Sequence, residues 1–260
     1  MTKTIDKLHK MCYDMFTVGK ARVKRVNKFK KGGEIDMKIF QQGEIDVSKP
    51  NVFIDVDDVI LNSSDTVIDI LNKKFNLHKT KKDLKDWGFK SITHECNRQI
   101  LEDIFCSKEF WNNVTCKTEL IEALENNCDD ENSLLNSYNW ILTTKGYVEN
   151  HRLKYNYIFN SNNIPFFAEH KNKFSYYALY HGEHKNIVNM YGGIQIDDNY
   201  NNLKTTDASV KILLKNGIGT NYNDYYLTSD NLQNLYIVDN IEEVVQILDF
   251  IGVNERQGYE

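Results

Sequence analysis

Acidic residues directly follow two short apolar segments that have the composition of buried strands. Residues 52–54 lead into Asp55, Asp57 and Asp58, and residues 194–196 lead into Asp197 and Asp198. In an open α/β sheet, ligands bind beyond the carboxyl ends of the strands. Residues two apart on a strand point the same way, so Asp55 and Asp57 are expected to project together. Two strands that deliver carboxylates to one edge predict an oxygen-rich site suited to Mg²⁺.

A third apolar segment and a lysine supply the other groups that hold a phosphoryl group. Residues 138–142 are followed directly by Thr143 and Thr144. Lys185 lies 12 residues before Asp197, next to His184. A hydroxyl, an ammonium group and a metal ion can stabilise phosphate oxygens while charge redistributes between them. A single Asp-x-Asp at a strand end is equally typical of a loop start. The combination of two acidic strand ends, hydroxyls and a lysine favours a phosphoryl-transfer site, which His184 is expected to line.

Strands and helices alternate along the part of the chain that must position these groups. Strands are predicted at 52–56, 138–143, 164–168, 176–180, 193–197 and 236–238. Helices are predicted at 64–75, 147–159, 184–191, 206–216 and 240–251. This alternation predicts an α/β fold with a parallel sheet covered on both faces. Residues 78–137 are polar and helix-prone, so they are interpreted as a helical insertion after the first core strand.

The chain is predicted to have three regions: a basic N-terminal extension of unknown role at 1–50, an α/β core at 51–76 and 138–260, and a small helical cap at 77–137. Residues 1–32 contain ten Lys or Arg residues and two Asp residues, a net charge of +8, which leaves −13 for the remainder. Such an arm could contact nucleic acid or an acidic partner, but a solvated appendage is favoured. The sequence Gly-Glu-Ile-Asp, at 33–36 and again at 43–46, predicts a hairpin around 37–40.

The composition of the 260-residue chain is that of a globular protein, with 41% hydrophobic and 27% charged residues. No apolar stretch is long enough to cross a bilayer, and the N-terminus has no apolar run typical of a secretory signal. The five cysteines form no CxxC pair. Reduced thiols and a cytoplasmic location are therefore expected, with no membrane partner.

In their order along the chain, these motifs resemble those of the haloacid dehalogenase (HAD) superfamily of phosphatases. Its first motif matches Asp55-Val56-Asp57, its second matches Thr143, its third and least specific matches Lys185, and its fourth matches Asp197-Asp198. The resemblance covers about residues 50–250 and implies a Rossmann-like core. Asp86-Trp87, Phe110-Trp111 and Thr143-Thr144 further resemble the 5′(3′)-deoxyribonucleotidase branch, which carries a small helical cap.

The resemblance implies a catalytic role for each motif. Asp55 would be the nucleophile that forms an aspartyl phosphate, and Asp57 the acid for the leaving group and then the base for water. Mg²⁺ would be held by Asp55, by the main-chain carbonyl of Asp57 and by Asp198, while Asp197 would hold a metal-bound water or Lys185. The implied phosphate-binding residues are Thr143, Thr144 and Lys185. A carboxylate at position 57 favours a phosphatase or a mutase over a dehalogenase.

Four aromatic residues of the predicted cap are candidates for the substrate pocket: Trp87, Phe89, Phe110 and Trp111. They could stack on a base or form the core of the cap itself. Phe110 and Trp111 are adjacent, so on a helix only one of them is expected to face the ligand. The predicted substrate is a nucleoside monophosphate. The alternatives are a sugar phosphate, a nucleic-acid end, and a non-catalytic nucleotide-binding module, which would have no need of both Asp55 and Asp57.

Overall fold

A computed structural model describes residues 38–180, 183, 185–215 and 234–257. The basic arm at 1–32, the first half of the predicted hairpin and His184 lie outside the described residues. The strands are β1 (Lys38–Gln41), β2 (Asn51–Asp55), β3 (Asn139–Gly146), β4 (Phe174–Tyr180), β5 (Ile194–Asp197), β6 (Val210–Leu214) and β7 (Leu235–Val238). They form one sheet in the order β1-β4-β3-β2-β5-β6-β7. All neighbours from β4 to β7 are parallel, whereas β1 is antiparallel to β4.

The α-helices of the described residues connect these strands. They are α1 (Ser63–Phe75), α2 (Arg98–Phe105), α3 (Lys108–Asn113), α4 (Thr118–Glu125), α5 (Leu134–Ser137), α6 (Val148–Phe159), α7 (Pro165–Glu169), α8 (Tyr200–Thr205) and α9 (Ile241–Gln257). Parallel strands linked by helices confirm the predicted α/β fold class. No helix within the described ranges combines the length and the apolar character needed to cross a membrane.

The central strand β2 is buried on both faces of the sheet, as its nearly continuous apolar sequence predicts. Val52 and Ile54 belong to the larger core cluster. Phe53 points the other way and packs in a smaller cluster that includes Ile141 and Met190. Asp55, at the end of this strand, is thereby fixed at the carboxyl edge of the sheet.

The helices α2 to α5 lie within the insertion predicted at 77–137. Buried residues of these helices, such as Phe110 and Leu124, belong to the same core cluster as Val52 in β2. The insertion therefore packs directly on the sheet-covering helices, and α4 and α5 both contact α9. Its separation as a distinct cap domain stays a prediction.

Three of the predicted elements are wrong. Residues 210–214, within the helix predicted at 206–216, form the strand β6. The prediction failed because periodicity cannot distinguish a continuous apolar strand of a parallel sheet from a buried helix. Residues 164–168 hold α7 rather than a strand, since Pro165 occupies the first helical turn, where proline is favoured. The helix predicted at 184–191 is a single 3₁₀ turn over Lys185–Ile187. β1 also pairs with β4, at the sheet edge, where part of the predicted extension joins the core.

Gly193, just before β5, allows a close approach of the chain to β2. A Cβ atom at this position would lie 2.8 Å from the Phe53 side chain and 2.9 Å from the Asn51 carbonyl oxygen. Because the carbonyl belongs to the paired strand, we expect Gly193→Ala to lower the free energy of unfolding by about 1–3 kcal/mol, measured by urea denaturation. Gly88→Ala is the control, since its Cβ would meet side-chain atoms and no backbone, Asp86 at 3.2 Å and Lys90 at 3.9 Å. Equal stability of the two variants would contradict this account of the β2–β5 contact.

Candidate active site

Carboxylates from two neighbouring strands meet at the carboxyl edge of the sheet. Asp55 ends β2 and Asp197 ends β5, and the preceding residues Ile54 and Ile196 are paired in parallel register. Asp198 follows directly. Asp55, Asp197 and Asp198 each place one ligand atom within 4.8 Å of the other two, and all three are buried. The structure thus brings these three carboxylates together at one edge of the sheet.

Lys185 joins two of these carboxylates. Its Nζ lies 2.9 Å from Oδ1 of Asp55 and 2.6 Å from Oδ2 of Asp197, and the side chain is fully buried. Burial alone would lower the pKa of Lys185, but the two adjacent carboxylates raise it above its usual value. Asp197 also accepts hydrogen bonds from the Asn199 N–H and from the Asn202 side chain. Asp197 is thus held mainly by its protein partners.

The other two carboxylates carry more negative charge than their surroundings compensate. Burial raises the pKa of Asp55 to about 7, with Lys185 opposing the shift and Asp197 adding to it. Burial, followed by the nearby Asp58 and Asp197, raises the pKa of Asp198 well above its usual value. A cation would relieve both effects. Because the donor atoms are all oxygens, the group fits a hard divalent ion such as Mg²⁺.

The two oxygens of Asp55 have different environments. Oδ1 accepts a hydrogen bond from the Val56 N–H at 2.8 Å and faces Lys185. Among the residues that the structure describes, none donates a hydrogen bond to Oδ2. Asp55 lines the cavity at this edge of the sheet. Protein contacts therefore fix one of its carboxylate oxygens and not the other.

Asp57 lies in the same cavity and is held from several sides. Lys154 on α6 forms an ion pair with Oδ2 of Asp57 and donates to the Thr144 hydroxyl at 2.6 Å. The Ser63 hydroxyl donates to Oδ1 of Asp57 at 2.8 Å. Burial alone would raise the pKa of Asp57, but Lys154 and these hydrogen bonds lower it overall. Asp57 is thus an oriented, ionised carboxylate. Its side chain is outside the three-carboxylate group, and its main-chain contact to a metal stays a prediction.

The structure places none of the three predicted phosphate-binding residues in the lining of the cavity. The hydroxyl of Thr143 is fully buried and donates to the Ile54 carbonyl at 3.3 Å, inside the sheet. Thr144 contacts Asp57 and Lys154 rather than open space. Lys185 is engaged by two carboxylates. None of these three lines the cavity, whereas Lys145, which follows Thr144 on β3, does.

Asp58 connects the site to the insertion. Its φ of 56° is in the left-handed region, and its carboxylate accepts a hydrogen bond from the Ser64 N–H at the start of α1. Lys81 of the insertion lies 3.1 Å from the same oxygen. Lys117, also of the insertion, donates to the Asp58 carbonyl, and burial lowers the pKa of Lys117 to about 8. Two lysines thus attach the insertion to the loop that carries Asp55 and Asp57.

The cavity has a volume of about 220 Å³. Asp55, Asp57 and Asp198 form the acidic floor of its lining, and the aromatic and aliphatic lining residues form the apolar wall. Trp87 and Phe89 belong to its lining, as predicted residues of the pocket. The lining also contains aromatic or aliphatic residues that the sequence did not single out: Leu101, Phe105 and Tyr147.

Phe110 and Trp111 do not line the cavity, which corrects the prediction for both residues. Phe110 is fully buried and packs edge-on against Phe105, with ring centroids 5.0 Å apart. Trp111 packs against Tyr157 and donates from Nε1 to the Phe105 carbonyl at 2.8 Å. Both residues therefore pack in the protein interior next to Phe105 instead of facing a ligand.

Sequence reasoning missed Lys145 and Lys154. Lys145 follows the two threonines at a predicted strand end, a position where a cation would reach a ligand. Lys154 occupies the buried face of α6, together with His151 and Ile158. A lysine at the helical spacing of buried residues is the signal that could have indicated it, since lysine is almost never fully buried unless paired.

Comparison with known proteins gives structural similarity only. No family model and no curated protein matches the chain. A haloacid dehalogenase-like family hydrolase from Streptococcus pneumoniae is 15% identical, with a TM-score of 0.48 over 76% of this chain and 98% of that one. A HAD-superfamily hydrolase of subfamily IA from Geobacter sulfurreducens is 12% identical, with a TM-score of 0.43 over 77% and 97%. Neither description names a nucleotidase, so the narrower resemblance to that branch gains no support.

The acidic group should bind Mg²⁺ and be stabilised by it. Because an ion that binds only the folded state raises stability by mass action, we expect Mg²⁺ at about 100 times its Kd to add about 2.7 kcal/mol. Asp198→Asn should lose most of this gain, as measured by thermal unfolding with Mg²⁺ and with chelator. Asp69→Asn, an exposed residue on α1, is the control and should respond like the wild type. An undiminished Mg²⁺ response of Asp198→Asn would remove this residue from the site.

The buried carboxyl of Asp55 should make the metal-free protein less stable as pH rises. The folded chain holds this proton up to about pH 7, whereas the ordinary pKa is 3.8. The free energy of unfolding therefore falls between these two values. Asp55→Asn cannot ionise, so in chelator its melting temperature should rise relative to wild type from about pH 4 to about pH 7 and then stay level. A difference in melting temperature between Asp55→Asn and wild type that does not change with pH would contradict the raised pKa of Asp55.

Proposed function

We propose that this chain is a Mg²⁺-dependent phosphohydrolase of the HAD type that acts on small phosphate monoesters, with a nucleoside monophosphate as substrate. The observation that carries this proposal is the position of Asp55. Lys185 fixes one of its oxygens, the other is available, and Asp198 completes an acidic group that fits a divalent ion. A hydrolase with an aspartyl-phosphate intermediate needs such a nucleophile beside a cation.

In the proposed first step, Oδ2 of Asp55 attacks phosphorus in line with the departing alkoxide, forming an aspartyl phosphate and breaking the P–O bond of the ester. Lys185 keeps the attacking carboxylate in position, since it binds only Oδ1. Carboxylate nucleophiles divide a difficult displacement into two easier ones. When bound, Mg²⁺ would be held by Asp55 and Asp198 and would supply positive charge to the phosphate oxygens.

Asp57 is proposed to transfer protons in both steps. It would protonate the leaving oxygen and then take a proton from the water that hydrolyses the aspartyl phosphate. In the free protein Lys154 lowers the pKa of Asp57, so the carboxylate is ready to act as a base. A bound phosphate would place negative charge nearby and raise that pKa, which favours protonation of Asp57 when the ester binds.

The cavity wall supports a substrate with a flat, apolar part. Trp87, Phe105 and Tyr147 line the same cavity as Asp55, Asp57 and Asp198. Aromatic side chains stack on nucleobases with little dependence on base identity. A volume of about 220 Å³ is below the roughly 300–1,000 Å³ usual for ligand pockets and equally suits a sugar phosphate, which is the second candidate.

The proposal predicts Mg²⁺-dependent phosphate release that requires Asp55. We expect wild type to release phosphate from nucleoside monophosphates with Mg²⁺ and not with chelator, and Asp55→Asn to lower kcat by at least about 10³-fold with little change in the fold. Inorganic phosphate release and far-ultraviolet circular dichroism are the measurements. Asp69→Asn is the matched control, because it removes an exposed carboxylate on α1.

Two outcomes would separate the parts of the proposal. Full activity of Asp55→Asn would exclude an aspartyl-phosphate intermediate at this residue. A kcat/KM about tenfold higher for sugar phosphates than for every nucleotide, about 1.4 kcal/mol, would exclude the nucleotidase assignment and leave the chemistry in place.

A further inference from the structure

We propose that Lys145 is the cation that contacts the substrate phosphate, while Lys185 serves to hold Asp55 and Asp197. This inference rests on the proposed function. It names a binding residue that the motif order does not indicate, since that order assigns phosphate binding to Lys185.

Lys185 is poorly placed to bind a substrate oxygen. It is fully buried, it forms ion pairs with Asp55 and Asp197, and it is absent from the cavity lining. An ammonium group has three N–H donors. Two of these are directed to carboxylates of different strands. Only one donor of Lys185 is left, and the side chain does not reach the surface of the cavity.

The register of the sheet places Lys145 on the same side as Asp55. Asp55, the last residue of β2, is paired with Thr143 of β3. β3 continues past this point, and Lys145 is paired with Leu179 of β4. Residues two apart on a strand share a face, and two residues advance the chain by about 6–7 Å. Lys145 therefore extends from the sheet beyond the end of β2, where the cavity lies.

The ammonium group of Lys145 is available for a ligand. Within the described part of the chain it takes part in no hydrogen bond or ion pair, although it lines the cavity and is half-buried. The charged groups around it are Lys185, Asp197, Asp55 and Glu183. Burial, and then Lys185, lower its pKa. A phosphate dianion in the cavity would favour the charged form and supply the missing partner.

The test is the binding of inorganic phosphate in the presence of Mg²⁺, measured by isothermal titration calorimetry, together with KM and kcat. We expect Lys145→Met to weaken phosphate binding by about tenfold, equivalent to about 1.4 kcal/mol, and to raise KM more than it lowers kcat. Lys145→Arg should recover part of the affinity. Lys49→Met, at a half-buried lysine of the loop before β2, should bind phosphate like the wild type. Melting temperatures of the two Lys145 variants should match that of the wild type, since the Lys145 ammonium has no described partner to lose.

Unchanged phosphate affinity in Lys145→Met, alongside an active wild type, would overturn the role of Lys145 and leave the proposed function standing. A wild type that neither releases phosphate from esters nor binds inorganic phosphate would overturn both. Weaker binding by Lys145→Met that Lys145→Arg does not recover at all, accompanied by a lower melting temperature, would assign Lys145 a structural role instead.

Discussion

The site depends on the sharing of one buried ammonium group by two strands. Lys185 forms ion pairs with Asp55 of β2 and Asp197 of β5, at positions that the parallel register brings side by side. Removing one partner of a buried ion pair typically costs about 3–5 kcal/mol, because the remaining charge stays buried without compensation. The same arrangement leaves Asp198 and one oxygen of Asp55 uncompensated. This residual negative charge is what makes the edge of the sheet suited to a divalent ion and, through it, to a phosphate group.

Further lysines distribute positive charge around this centre in distinct ways. Lys154 reaches Asp57 from α6 and fixes the direction of its carboxylate. Lys81 and Lys117 reach Asp58 from the insertion, so that the aromatic wall of the cavity and the acidic floor are tied to the same loop. The insertion is thus held in two ways: its apolar residues pack in the core, and its lysines contact the loop that carries Asp57 and Asp58. Both contacts position the cavity.

The acidic site could be predicted from the sequence because it depends on strand ends, and strand ends are visible as apolar runs that stop at a carboxylate. Asp55 and Asp198 are found in this way. The direction of a side chain is not visible: Thr143 turns its hydroxyl into the sheet, and Phe110 turns into the larger core cluster. The strand β6 was predicted as a helix, since an apolar run buried on both faces has no period that distinguishes the two. A partner that comes from a distant helix, such as Lys154 for Asp57, can be identified only from the tertiary fold.

The most direct test of the central claim is to trap the covalent intermediate. The chain would be mixed with Mg²⁺ and a radiolabelled phosphate monoester, quenched in acid after a short interval, and digested for peptide mapping. The account predicts label on the peptide that contains Asp55, removable by hydroxylamine as expected for an acyl phosphate, and absent with chelator or in Asp55→Asn. Phosphate release without any protein-bound label, or label on a different residue, would contradict it.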